Sequence, residues 1–252
     1  MKYIQILLAA ILIFIFNACG NTKKTIIPKN EVAETTDKDK EKTEEIIHNG
    51  TIYNTIISPY TKRVWLDRNL GAARVCTSYK DTACFGDYYQ WGRNFDGHQD
   101  STSSVTTKQA KSLSNAGDTF ILDNGGHRGD WANKLDVKGK KRKKLLVKTD
   151  GSFICPIGFR VPTSKEFLAE TSKSKHKTKN RKGAYKNFLK LPTAGFRSGD
   201  TGKIIIKHSG SLMVSSGFDD YGVDYFYYSK SDIGRGMLGS RSSGETVRCI
   251  KD

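Results

Sequence analysis

Cysteine is the side chain of this sequence with the most covalent chemistry open to it, and its five cysteines divide by position. Cys19 closes a stretch in which the apolar run Ile4 to Phe16 is followed by Asn17 and the small residue Ala18. A thiol so placed is an expected site of lipid attachment. Setting it aside leaves Cys76, Cys84, Cys155 and Cys249, an even number, which in an exported chain predicts two disulfides. Three pairings are possible. Proximity in sequence favours Cys76 with Cys84, which leaves Cys155 with Cys249.

Charge is the second chemical resource. The chain of 252 residues has a formal net charge of +16, and such an excess favours anionic polymers through long-range attraction. The alternative is a lysine-rich composition that writes Lys at every solvated position. Lys138 to Lys144 holds six positive charges in seven residues, so Lys140, Lys141, Arg142, Lys143 and Lys144 are candidate contacts to an anionic glycan or envelope polymer. Runs of like charge repel and stay solvated, so this block and Lys173 to Lys182 are expected in exposed loops or frayed helix ends. Nucleic-acid binding there would be non-specific counterion displacement. Aromatic rings are the third resource. Tyr88, Tyr89 and Trp91 follow Cys84, and in Tyr225-Phe226-Tyr227-Tyr228 alternate rings point to opposite faces of a strand. Tyr225 and Tyr227 are the candidate outward pair for stacking on sugars or bases, with core packing the competing use.

Other chemistries lack their signatures. There is no Gly-x-Ser-x-Gly, and no glycine-rich phosphate loop precedes Lys203. His48, His98, His127, His176 and His208 lack the close spacing of zinc ligands and read as surface residues. Asp96, His98, Asp100, Asp123, Asn124 and Asp130 match no calcium loop and read as turn formers. Arg128-Gly129-Asp130 spells an integrin tripeptide without other support. No metal or cofactor is expected.

The elements that carry these residues begin with a secretory signal over 1–18, with Lys2 as its positive start. Its apolar run is shorter than the ~20 residues a spanning helix needs. Phe16-Asn17-Ala18-Cys19 resembles a lipobox, whose cysteine is diacylated and becomes the mature N-terminus, and Gly20 after it implies sorting to the outer membrane. Residues 19–49 are rich in Lys, Glu, Asp and Thr and read as a solvated tether. The domain is expected from Gly50 to Asp252. Thr51 to Ile57 and Val64 to Leu66 read as a hairpin across the Ser58-Pro59 turn. Thr163-Ser164-Lys165-Glu166 fits a helix capping box. After Leu191 short glycine-punctuated strands are expected, among them Lys203 to Lys207, Val223 to Tyr228 and Thr246 to Ile250. The fold class is α+β, mostly antiparallel strands with one or two helices and long loops.

Four ordered motifs carry a family resemblance: Trp65-Leu66-Asp67-Arg68-Asn69-Leu70-Gly71-Ala72, Gly86-Asp87-Tyr88-Tyr89-Gln90-Trp91-Gly92-Arg93-Asn94, Cys155-Pro156-Ile157-Gly158-Phe159-Arg160-Val161-Pro162-Thr163 and Gly244-Glu245-Thr246-Val247-Arg248-Cys249-Ile250-Lys251-Asp252. Together with Leu191 to Arg197 they resemble the Fibrobacter succinogenes major paralogous domain. The resemblance implies a fold similar to C-type lectins and to the formylglycine-generating enzyme, with the two ends of the domain brought together and Cys155 to Cys249 stapling its middle to its last strand. Ser211 to Ser216 departs from the family pattern, which has Tyr-Trp before the serines.

The expected function is therefore a lipid-anchored, outer-membrane binding module for a glycan, envelope polymer or protein, not an enzyme. The alternatives are a structural envelope protein without a discrete ligand and, further off, an oxidoreductase of the formylglycine-generating type, which works through reactive cysteines.

Overall fold

The computed structural model describes residues 43–123, 129–172, 176, 178–219 and 222–252. The signal, Cys19 and most of the tether lie outside these residues, as do Asn124, His127 and Arg128. No helix among the described residues is long and apolar enough to cross a membrane.

Strand β1 (Glu45–His48) pairs antiparallel with β2 (Thr51–Ile57), His48 opposite Thr51. The ordered domain thus starts inside the segment assigned to the tether. Asn49 (φ 48°) and Gly50 (φ 75°) both occupy the left-handed region, as the two central residues of a type I′ hairpin turn must. β2 continues antiparallel to β3 (Val64–Leu66), the hairpin expected from sequence. Next to β3 lies β14 (Ile250–Lys251), flanked in turn by β7 (Phe159–Arg160), giving the order β1-β2-β3-β14-β7. The C-terminal strand is therefore internal to the sheet that the first strands open, and the two ends of the domain meet.

A second sheet has the order β4-β13-β8-β9, from Tyr89–Gln90, Gly244–Glu245, Phe196–Arg197 and Ile204–Ile205. The longest strands form a third, β10-β11-β12, from Gly210–Asp219, Gly222–Tyr228 and Ile233–Gly239. β5 (Val105–Thr106) and β6 (Phe120–Ile121) form one short parallel pair. Three short helices complete the described α+β fold: α1 (Lys140–Leu146), α2 (Ser164–Thr171) and α3 (Arg181–Lys186), one more than sequence suggests. α2 carries the expected box, Thr163 accepting from the Glu166 amide while Glu166 accepts from the Thr163 amide.

Thr246 to Ile250 is not one strand. β13 ends at Glu245, and the chain crosses to the first sheet before β14. On the way its carbonyls serve different neighbours: Thr246 accepts from Met213, Val247 from Leu70 and Cys249 from Leu66. Two apolar clusters fill the interior. Tyr89, Trp91, Phe159 and Val247 belong to one, and Trp65, Phe167, Phe226 and Tyr228 to the other. The ring run of β11 is divided as its period of two requires, with Phe226 and Tyr228 buried while Tyr225 and Tyr227 remain half-buried on the opposite face.

Candidate ligand-binding pocket

The described cysteines are all paired. Cys76 bonds Cys84 across 8 residues and Cys155 bonds Cys249 across 94, the pairing favoured by sequence proximity and implied by the resemblance.

The basic block forms a short helix rather than a loop or a frayed end, and its five candidate contacts do not share one exposed face. Residues 140–146 form α1, which leaves Lys140, Lys141, Lys143 and Lys144 exposed and turns Arg142 and Leu146 inward, one helical turn apart. The Arg142 side chain is 0% exposed. Its Nη1 and Nη2 donate to Asp130 Oδ1 and Oδ2 at 2.7 and 2.8 Å, and Nη2 also reaches the Asp136 carbonyl at 2.9 Å. Its guanidinium lies 5.3 and 5.4 Å from the Trp91 and Trp131 ring centres. Gly92 (φ 70°) makes room, since a Cβ there would stand 2.4 Å from the Arg142 Cβ. Arg241 also donates to Asp130. An Asp130 committed to two buried arginines is not presented as an integrin tripeptide.

The other chemical candidates are likewise absorbed into structure. Asp96 bonds Arg93 and His98, and His98 is buried rather than a surface residue, accepting from the Gln90 amide at 3.0 Å. Burial above all holds the His98 imidazole down at about 4. No group of three or more potential ligands for a metal ion occurs among the described residues.

The family-like motifs also supply mostly internal ties. Trp65 donates to Glu170, and Arg248 donates to Asn69 and to the Leu189 carbonyl. Gln90 donates to the Ile121 and Ser242 carbonyls. Arg93 reaches Gln90, Thr119 and Gly117. Tyr88, Tyr89 and Trp91 are core residues. One motif carboxyl breaks this rule. Glu245 Oε2 and the nearby Ser211 Oγ are both sealed from solvent and have no partner beyond each other.

Both residues line a pocket of about 440 Å³ with Phe196, Gly210, Tyr225 and Tyr227 in its wall and Ser209, Ser229, Ser240 and Ser243 around it. β11 positions the rings, and β10 sets Ser211 opposite Tyr227 and Met213 opposite Tyr225. β12 places Gly236 opposite Tyr225 and Gly234 opposite Tyr227. The space at Gly236 is required, because a Cβ there would come within 2.3 Å of the Tyr225 ring. Tyr225 and Tyr227 stand 6.2 Å apart at 61°, and the Tyr227 hydroxyl is held by Asp232 at 2.5 Å. Burial pushes the Glu245 carboxyl up to about 8, an effect that the Ser211 hydroxyl only partly offsets. At neutral pH this acid is mostly protonated, both a donor and an acceptor.

The period of strand β11 points to Tyr225 and Tyr227, whereas nothing local in the sequence points to Glu245. The stretch Ser211 to Ser216, flagged as a departure from the family pattern, was the available signal: Ser211 contributes the hydroxyl beside Glu245.

Comparison of the chain with known protein families, with characterised proteins and with solved structures returns no match.

Proposed function

We propose that this protein is an envelope lipoprotein displaying a lectin-like binding module, and that the pocket bounded by Tyr225, Tyr227, Ser211 and Glu245 takes a carbohydrate. The observation that carries this reading is the pairing, in one pocket, of half-buried tyrosine rings with two sealed polar groups, Glu245 and Ser211, that have no partner beyond each other. Sugars present apolar C–H faces that stack on aromatic rings and hydroxyls that satisfy buried donors and acceptors. The volume is that of a small-molecule site. The four exposed lysines of α1 add non-specific attraction to anionic polymer, and they do so without Arg142. Two further features support a binding role over cysteine chemistry and over a purely structural one. All four described cysteines are committed to disulfides, and a purely structural protein has no need of an unsatisfied carboxyl in a pocket.

The test is a glycan array probed with the full chain in detergent. Tyr225→Ala should weaken binding of any glycan hit by about tenfold or more, the equivalent of ~1.4 kcal/mol. Replacing Lys140, Lys141, Lys143 and Lys144 with Gln should change only the salt dependence. Absence of any glycan hit, or hits indifferent to Tyr225→Ala, would leave the structural-protein reading in its place.

The anchor has its own test. The lipobox resemblance supports Cys19 as the acylated residue, so Cys19→Ala should move the protein from the membrane fraction to the soluble one. Retention after a carbonate wash would mean that another anchor holds it.

A further inference from the structure

We propose that the sugar taken by this pocket carries a protonated amine, with Glu245 as its counter-ion and the Tyr225 and Tyr227 rings as the wall facing the charge. The inference rests on the carbohydrate reading above and narrows it to amine-bearing sugars.

The other buried and half-buried acids of this protein are treated differently. Asp67 pairs with Arg68, Asp96 with Arg93, Asp130 and Asp136 with Arg142, Asp224 with Arg235, and Glu166 with Arg160. Glu170 has no cation but accepts from Ser58, Thr61 and Trp65. Asp87, in a separate polar pocket, shares its site with Asp100. Among the described acids, Glu245 alone combines a sealed oxygen lacking a cation with a place in the pocket walled by Tyr225 and Tyr227. In a chain with a net charge of +16, no Lys, Arg or His among the described residues lines that pocket. A buried carboxylate without a cation is costly, and the pocket supplies two faces that attract one, since the negative π-faces of tyrosine hold ammonium groups.

The titratable neighbours leave Glu245 as the responsive group. Tyr88 and Tyr225 face it, and burial pushes both phenols above their ordinary value, so they stay neutral across the physiological range. From β10 it meets Ser211, which does not titrate there. Arg197, on the neighbouring strand β8, directs its guanidinium away to Ser103 and the Asp100 carbonyl. Asp232 engages Tyr227.

The reaction balances simply. An ammonium ligand enters, the Glu245 carboxyl gives up its proton to solvent, and carboxylate and ammonium pair. With the free carboxyl at about 8, pairing at pH 7 should release about 0.9 proton from Glu245, the full net release for a permanently charged cation such as choline and less for glucosamine, whose amine takes up the proton it lacks at that pH. Affinity for a cation whose own charge does not titrate should rise close to tenfold per pH unit from 6 to 7 and level off above about 8.

The experiment is isothermal titration of the full chain in detergent with glucosamine, N-acetylglucosamine and glucose, each in two buffers of different ionisation enthalpy, and with choline across pH 5.5–8.5. Glucosamine should bind at least tenfold more tightly than the two neutral sugars and release a proton, and Glu245→Gln should abolish both differences. The proton count on the unaltered protein decides the matter even if that variant folds poorly. Equal binding of the three sugars, or a preference for the amine without proton release, overturns the inference and leaves the carbohydrate reading standing. Failure of every sugar in the set, together with an empty glycan array, overturns both.

Discussion

Replacing Arg142 with Gln will cost the domain about 3–5 kcal/mol, whereas replacing the four lysines around it leaves stability within ~0.5 kcal/mol. For a domain of this size that loss lowers the melting temperature by about 6–20 °C. The cost comes from what is left behind. Asp130 and Asp136 lose their common guanidinium in a buried site, and a carboxylate without a partner there is unfavourable by several kcal/mol. Trp91 and Trp131 also lose the flat cation between them. Asp130 illustrates the balance. Burial alone raises its carboxyl, but the hydrogen bonds and charge of Arg142, with help from the Ala132 amide and Arg241, outweigh this and hold it below the ordinary value. Its contribution is therefore present above the unfolded value of about 4 and fades as pH falls through the folded one. Circular-dichroism melts of Arg142→Gln and of the fourfold Lys→Gln variant decide the question. Equal melting temperatures for Arg142→Gln and the native chain would mean that the cluster around Asp130 is dispensable.

Removing the Cys155–Cys249 bond should destabilise the native state by about 4–5 kcal/mol, against about 2.5 for Cys76–Cys84. Loop length sets the ranking, 94 residues of separation against 8. Position reinforces it. Cys249 immediately precedes β14, the strand seated between β3 and β7, so this bond pins the chain's last turn of structure to the segment leading into β7. The short bond closes a local loop beside Phe85, Ala194 and Tyr185. Melting of Cys155→Ser/Cys249→Ser and Cys76→Ser/Cys84→Ser variants should reproduce this order. The reverse order would show that local packing around Cys76, rather than chain entropy, governs the contribution of these bonds.

Much of the scaffold is legible in the sequence because the signals are local. Alternation predicts β2 and β11, the Thr163/Glu166 pair predicts the start of α2, and four cysteines in an exported context predict two disulfides. Asn49-Gly50 was equally legible: that dipeptide between Ile47 and Ile52 marks the β1–β2 hairpin. Its flanking residues nonetheless read as tether, because the acidic and basic residues before them dominate the composition.

The candidate site was only half legible. The period of a strand identifies Tyr225 and Tyr227 as one face, but not what stands opposite them. Glu245 lies 18 residues beyond Tyr227 and on another sheet, and nothing local distinguishes an acid that finds an arginine from one that does not. Arg142 shows the same limit in reverse. Its sequence neighbours are four lysines, and charge repulsion argues for a solvated loop. One helical turn and two distant aspartates turn it into the most buried cation of the block. Sequence by itself determined the strand faces, the cap and the disulfide count, because each depends on residues within a few positions or on simple parity. Tertiary structure alone decided which charges are paired and which carboxyl is left without a cation, because burial and partnership depend on segments that meet only after folding.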